Sequence, residues 1–155
     1  MLRIPVVLIL GLLISATVAG RAEDWPQFRG PGGQGQAVGS GWPLRWSEQE
    51  NIAWKVPISG RGWSSPVVSD QQIWLTTALE TAATAEVTKR TLERKGQDVP
   101  SPNVASHLTL KAICVDRASG QVLHDVTLSE IDEPEVISSS NSFASPTPVV
   151  DRGRV

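Results

Sequence analysis

The side chains that most often do chemistry in proteins are few in this sequence and are not grouped. The 155 residues include two histidines, His107 and His124, and one cysteine, Cys114. A zinc site takes three or four ligands from His, Cys, Asp and Glu at characteristic spacings, and no such set occurs here. His124 falls within a predicted strand, where we interpret it as a packing or surface residue. A single cysteine also excludes an internal disulfide in this sequence.

Two further patterns match an enzyme motif only in part. The run Gly30-Pro31-Gly32-Gly33-Gln34-Gly35 has the spacing Gly-x-Gly-x-x-Gly. A dinucleotide site needs a strand before that run and a helix after it, and the flanking residues favour neither, so we predict a flexible or turn-forming segment. The serines at positions 64, 65 and 138–140 lack a nearby base and the turn that presents a hydrolase nucleophile. We therefore expect no catalytic, cofactor-binding or metal-binding residues in this sequence.

Carboxylates and tryptophans are each concentrated in one part of the sequence. Glu130, Asp132, Glu133 and Glu135 form an acidic run. A glycosidase places two carboxylates across a cleft and a calcium loop spaces its ligands differently, so we interpret the run as a solvated loop. Five of the six tryptophans lie within residues 25–63. Stacking on a sugar or a quinone is one interpretation of them, and packing in a β-structure is the one we favour.

The elements that must carry these residues are predicted to be β-strands. Four segments are short, apolar or alternating, and bounded by turn residues: 63–68, 73–77, 108–115 and 121–128. We predict that they form one four-stranded antiparallel sheet connected in sequence order, which is the unit of a propeller blade. Residues 52–58 alternate in the same way and predict a further strand ahead of this unit. Pro57 limits that strand to a sheet edge or a strand end.

A long connection separates the second and third predicted strands. We assign residues 79–107 to an insertion on one rim of the sheet. The charged residues between Thr84 and Lys95 favour a short surface helix that ends at Gly96. Loops of this length are often functional, but the sequence assigns this one no role.

One short motif occurs twice in the sequence. Residues 63–68, Trp-Ser-Ser-Pro-Val-Val, recur in looser form as residues 143–150, Phe-Ala-Ser-Pro-Thr-Pro-Val-Val. An aspartate follows each copy, at Asp70 and at Asp151. The second copy stops as its second strand would begin, so the repeats predict one complete blade and the start of another.

The turn between the last two predicted strands carries a family resemblance. Residues 114–124, Cys-Val-Asp-Arg-Ala-Ser-Gly-Gln-Val-Leu-His, resemble the tryptophan-docking repeat of quinoprotein propellers, whose pattern is Ala-x-Asp-x-x-Thr-Gly-x-x-x-Trp. Asp116 and Gly120 match the pattern, and Ser119 replaces the threonine. His124 stands where the family has a tryptophan that packs between neighbouring blades. An aspartate can bond backbone N–H groups two residues on, and glycine adopts the positive φ that closes such a hairpin.

This resemblance to the PQQ-like (pyrroloquinoline-quinone-like) repeat proteins of secreted bacterial type extends to residues 24–31, 42–47 and 60–66. It implies an all-β fold, an incomplete β-propeller with about one blade plus the start of a second. It also implies a non-catalytic role in binding or scaffolding, like the propeller factor of outer-membrane protein assembly, with protein partners at the propeller rim. The alternative is the N-terminal part of a PQQ-dependent alcohol or sugar dehydrogenase, which would bind PQQ and calcium through residues of many blades. A third interpretation is a freestanding small β-domain.

The first 22 residues predict a secretory signal peptide. Arg3 precedes an apolar run from Ile4 to Ile14, and small residues at Gly20 and Ala22 suit cleavage after Ala22. A retained anchor is the alternative, but the apolar stretch is shorter than the ~20 residues that span a bilayer. We expect a periplasmic or secreted protein with a lead-in at 23–51 and the repeat region at 52–155. With 14 basic and 16 acidic residues, the charge favours neither nucleic acid nor a membrane surface.

Overall fold

The computed structural model of the chain describes residues 23–95 and 98–155. The predicted signal peptide with its cleavage residue Ala22, and the predicted helix end at Gly96, lie outside the described residues. The elements in chain order are β1 (Val67–Ser69), β2 (Gln72–Ala82), α1 (Ala85–Lys95), β3 (Pro102–Asn103), β4 (Ala105–Asp116), β5 (Val122–Asp132) and β6 (Ile137–Ser138). A search of the described residues finds no helix with the length and apolar character needed to cross a membrane.

A four-stranded antiparallel sheet is the main element of the fold. Its strands lie in the order β1-β2-β4-β5, and β3 pairs with β6 in a separate two-stranded sheet. The predicted four-stranded antiparallel sheet is thereby confirmed, including the pairing of residues 108–115 with 121–128. The predicted first strand at 63–68 is wrong in its bounds, because β1 begins only at Val67. Pro66 has no N–H to donate to a ladder, and the Ser64 hydroxyl bonds the Thr76 backbone instead.

The predicted strand at 52–58 is not a strand in the structure. Its period-two pattern nevertheless corresponds to alternating burial: Trp54, Val56 and Ile58 are half-buried, and the residues between them are exposed. The segment lies across one face of the main sheet, where the Thr77 hydroxyl donates to the Ser59 carbonyl oxygen at 2.8 Å. It therefore packs through side chains and joins no ladder.

The insertion is shorter than the sequence predicts. Strand β2 continues to Ala82 and β4 begins at Ala105, so the connection covers residues 83–104 and not 79–107. The longer strands pair with each other from Ala78 to Ala82, and the half-buried Glu80 carboxylate accepts a hydrogen bond from Asn103 Nδ2 at 2.8 Å. The predicted surface helix is confirmed as α1. Thr84 caps its start, because Thr84 Oγ1 accepts the Val87 N–H at 3.3 Å.

Both faces of the main sheet are covered by extended chain. We name the two sides by their β2 residues, since side chains alternate across a strand. The front face carries Trp74, Thr76 and Ala78, and the back face carries Ile73, Leu75 and Thr77. Residues 54–59 cover the back face, and residues 143–148 cover the front face. The most buried apolar side chains of the described residues are Val67, Ala78, Leu108, Cys114, Val115 and Ala144, at 0–2% exposure.

The second copy of the Ser-Pro motif packs against the first copy. The Ala144 carbonyl oxygen accepts the N–H groups of Trp63 and Ser64 at 3.0 and 3.1 Å, and Thr147 Oγ1 accepts the Ser65 N–H at 3.0 Å. Residues 143–150 form no strand in the described structure. The second motif copy is therefore part of the covering of the first sheet.

Candidate docking turn and binding groove

The turn between β4 and β5, which we name the docking turn, covers residues 116–120. Asp116 Oδ1 accepts hydrogen bonds from the Ser119 hydroxyl and the Ser119 N–H, both at 2.7 Å, and from the Ala118 N–H at 3.1 Å. The Gly120 N–H closes the turn on the Asp116 carbonyl oxygen at 2.9 Å. These bonds, led by the Ser119 hydroxyl, favour the carboxylate and hold the pKa of Asp116 below its ordinary value. The structure thus brings Asp116, Ser119 and Gly120 together in one bonded turn.

Trp54 docks on this turn from outside the sheet. Gly120 has φ +76°, and a Cβ atom placed on it would meet the Trp54 ring at 2.7 Å. Only glycine fits the two conditions, a left-handed backbone and an indole against its α-carbon. The Trp54 Nε1–H donates to the Arg117 carbonyl oxygen at 3.0 Å. Arg117 is itself fixed, because its N–H donates to the Gln71 carbonyl oxygen at 2.9 Å.

Sequence reasoning did not identify Trp54 as the partner of the docking turn. It placed Trp54 among the apolar residues of a strand, and 63 residues separate it from Arg117. The signal that could have found it is the absence of a tryptophan at position 124 in an otherwise matching repeat. A missing tryptophan at that position indicates that an indole from another segment packs against Gly120.

His124 lies on the front face, at the position where the family repeat has its tryptophan. Its ring stacks on Trp74, with the centroids 5.9 Å apart and the planes at 13°. Cys114 lies between these two residues in the sheet register and is fully buried. Burial raises the pKa of the Cys114 thiol, and the nearby Asp116 charge adds to that rise. The interpretation of His124 as a packing residue agrees with this stack.

A groove on the front face has a volume of about 540 Å³. Its floor is the sheet, and its wall is the second motif copy and the residues after it. None of the lining side chains is ionisable: Trp74, Thr76, Ala112, Val126, Leu128, Pro146, Thr147, Pro148, Gly153 and Val155. Val126 and Leu128 on its rim are 44% and 58% exposed. Concave apolar surfaces of this kind mark binding sites for apolar ligands or partner chains.

The acidic run is not a solvated loop throughout, so that interpretation is wrong in part. Glu130 and Asp132 belong to β5, where cross-strand pairing places Asp132 opposite His107. Asp132 Oδ1 lies 2.7 Å from His107 Nδ1. Glu133 follows the strand and pairs with the guanidinium groups of Arg90 and Arg94 on α1. Asp132 and Glu133 have partners because strand pairing brings His107 to one and the insertion helix brings two arginines to the other.

The remaining candidates have structural surroundings. The glycine run forms a single 3-10 turn, Pro31–Gly33, with positive φ at Gly30, Gly32, Gly33 and Gly35, which confirms a turn-forming segment. The Ser64 hydroxyl donates to the Thr76 carbonyl oxygen at 3.2 Å and accepts the Thr76 N–H at 3.0 Å. Across residues 23–95 and 98–155, His, Cys, Asp and Glu side chains form no group of three or more that could hold a metal ion.

The tryptophans divide into two sets, so the interpretation that all pack in the core is wrong in part. Trp25, Trp54 and Trp74 are half-buried against the sheet. Trp42, Trp46 and Trp63 are 52%, 69% and 54% exposed. Arg61 explains the position of Trp63, because its guanidinium carbon lies 5.6 Å from the ring centroid, within the range of a cation–π contact.

The chain was compared with known protein families, curated proteins and solved structures. No model of a protein family, no curated protein and no solved structure gives a significant match to the chain.

Proposed function

We propose that this chain is an exported binding or scaffolding protein of the PQQ-like β-propeller type, and that its main sheet is one blade. The main observation behind the proposal is that the Trp54 ring packs against Gly120 of the docking turn. The resemblance implies a tryptophan that packs between neighbouring blades. Here the Trp54 indole comes from a segment ahead of the sheet and packs against the turn of the sheet. In a propeller, an indole of one blade would pack against the turn of its neighbour in the same way.

The exposed apolar side chains of β5 support the same proposal. A propeller blade packs against its neighbours, so a strand that belongs to one carries apolar side chains where a neighbour would cover them. Val122, Leu123, Val126, Leu128 and Ile131 of β5 are 37–58% exposed. Val126 and Leu128 line the groove on the front face, whereas the back face of β5 also carries Asp125, Thr127, Glu130 and Asp132. This pattern suits a neighbouring element on the front face of β5.

In this proposal the front groove is the binding surface. It lies beside the second motif copy, has an uncharged lining and opens at the exposed rim of β5. An uncharged, apolar groove bordered by prolines suits an extended apolar segment of a protein partner better than a charged ligand.

Site-specific photo-crosslinking in a bacterial host tests the proposal. A photoreactive phenylalanine replaces Leu128 at the groove rim, or Leu44 in the lead-in as the matched control, since Leu44 is 91% exposed. We expect a crosslinked protein partner from position 128 and none from position 44, both in the exported fraction. The N-terminal residue of the exported chain gives the cleavage point, which we expect after Ala22.

Any of three outcomes would contradict the proposal. Equal crosslinking from both positions would show non-specific contact, and an exported chain that acquires dye-linked dehydrogenase activity with added PQQ and calcium would favour the enzyme alternative. A chain that still begins at Met1 in the membrane fraction would contradict export.

A further inference from the structure

Three side chains on the back face at the insertion end of the sheet form a hydrogen-bonded series. Asp132 Oδ1 lies 2.7 Å from His107 Nδ1, and His107 Nε2 lies 3.5 Å from Thr109 Oγ1. The sheet register sets this order, because His107 pairs with Asp132 across the strands and Thr109 follows two residues later on the same face of β4. The series is separate from both the docking turn and the front groove.

The order of these groups matches that of an activated hydroxyl nucleophile. A carboxylate that accepts the Nδ1–H of an imidazole leaves Nε2 free to take a proton. A hydroxyl within reach of that nitrogen can lose its proton to it, and such contacts are often long before a substrate binds. Side-chain exposures of 37% for His107 and 90% for Asp132 leave the series open to solvent.

We propose that Thr109 is an acyl-acceptor site, which takes an acyl group from an activated ester or thioester. The Thr109 O–H proton moves to His107 Nε2 as the Thr109 oxygen forms a bond to the acyl carbonyl carbon. The bond from that carbon to the leaving oxygen or sulfur breaks, and its electron pair goes to the leaving group. The leaving group then takes the proton from His107, so no oxidant or further reagent is needed. This inference goes beyond the proposed binding function and does not depend on it.

The charged groups that face this series are few. On β5, Glu130 lies opposite Thr109 and Asp132 lies opposite His107. On β4, the next back-face residue after Thr109 is Lys111, which pairs with Asp125 of β5. Strand β2 presents the uncharged Leu79 and Thr81 at the same two register positions. In this role Thr109 and His107 are the reacting groups, and Asp132 is a positioning residue that orients the imidazole.

The test uses p-nitrophenyl acetate on the intact chain, with the acetylated positions read by peptide mass spectrometry. Thr127 is the internal control, because it is an exposed threonine on β5 whose cross-strand neighbour is Lys111 and not a histidine. We expect Thr109 to gain acetyl at least about tenfold faster than Thr127, since a positioned base contributes that or more.

Variants separate a chemical role from a structural one. We expect His107→Gln to slow acetylation of Thr109 at least about tenfold, to the rate of Thr127. Asp132→Asn should slow it less than His107→Gln does, and Asp132→Glu should keep more of the rate than Asp132→Asn, because a carboxylate can still accept the Nδ1–H of His107. Equal rates at Thr109 and Thr127 in the unmodified chain would overturn the proposal. So would an unchanged Thr109 rate in a His107→Gln chain that keeps its unfolding transition.

Discussion

The two ends of the β4–β5 hairpin are held by different kinds of interaction. At one end the docking turn is fixed by short bonds between neighbouring residues and by the Trp54 ring against Gly120. At the other end α1 is attached through Arg90 and Arg94 to Glu133, whose side chain is 36% exposed. Backbone geometry and ring contact depend little on solvent, whereas exposed ion pairs are screened by salt and contribute little. We therefore expect changes at the two ends to differ in size and in salt dependence.

The largest effect is expected from Gly120→Ala. A Cβ atom there would meet the Trp54 ring at 2.7 Å, on a residue whose φ is +76°. Left-handed strain and displacement of the indole together should lower the free energy of unfolding by about 2–4 kcal/mol. Urea unfolding measures the change. The matched control is Gly153→Ala, which has φ +74° and open space around the new carbon, and should cost only about 1 kcal/mol. Equal losses in the two variants would mean that the Trp54 contact has no energetic role.

The next effect is a pH-dependent one at Asp116. Its folded-state pKa is lowered, so the carboxylate contributes stability that is present above the ordinary value of 3.8 and is lost as pH falls through the lower, folded-state value. We expect Asp116→Ala to lower the melting temperature at pH 7. The difference from the unmodified chain should shrink below about pH 4, where the carboxyl group of the unfolded chain becomes protonated. Melting curves from pH 7 to pH 2 measure this convergence.

Ser119→Ala is the control for the Asp116 variant. It removes the hydroxyl donor but leaves the two backbone donors, the N–H groups of Ala118 and Ser119. We expect a smaller fall in melting temperature with the same dependence on acid. If the melting temperatures of the Asp116→Ala chain and the unmodified chain differ by the same amount from pH 7 to pH 2, protonation of the Asp116 carboxylate does not affect stability.

The smallest effect is expected at the opposite end of the hairpin. Glu133→Gln removes the charge that holds Arg90 and Arg94, and should lower the free energy of unfolding by about 0.5 kcal/mol at low salt. At 1 M salt the loss should disappear, because the screening length falls to about 3 Å. Glu130→Gln on β5 is the matched control. A loss in Glu133→Gln as large as that in Gly120→Ala would contradict the distinction between the two ends.

The sequence predicted the parts of the fold that local chemistry decides. The docking turn follows from Asp116 and Gly120, which lie four positions apart, and the alternation of residues 121–128 needs no distant partner. The four-stranded sheet could be predicted for the same reason, because successive strands pair with one another. The family resemblance was likewise read from a short run of residues around this turn.

Interactions that depend on register or on distant chain were not predicted. His107 and Asp132 are 25 residues apart, and two register irregularities along β4 and β5 decide which residues stand opposite each other. The strand predicted around Trp54 is wrong because alternating apolar residues indicate that one face is buried, and they do so whether or not the backbone pairs with a neighbouring strand. Strand β2 continues beyond residue 77 as a ladder with residues 105–110 of β4, and Glu80 bonds Asn103 from the far side of the insertion.

Cys114 gives the protein an internal reporter of sheet opening. Its fully buried thiol lies between Trp74 and His124 in the register, and its pKa is raised, so little thiolate forms. An alkylating reagent can reach it only after the side chains that cover it move away or the strands separate. The rate of alkylation under native conditions, divided by the rate for a free thiol, then gives the fraction of molecules that are open around Cys114 at any moment.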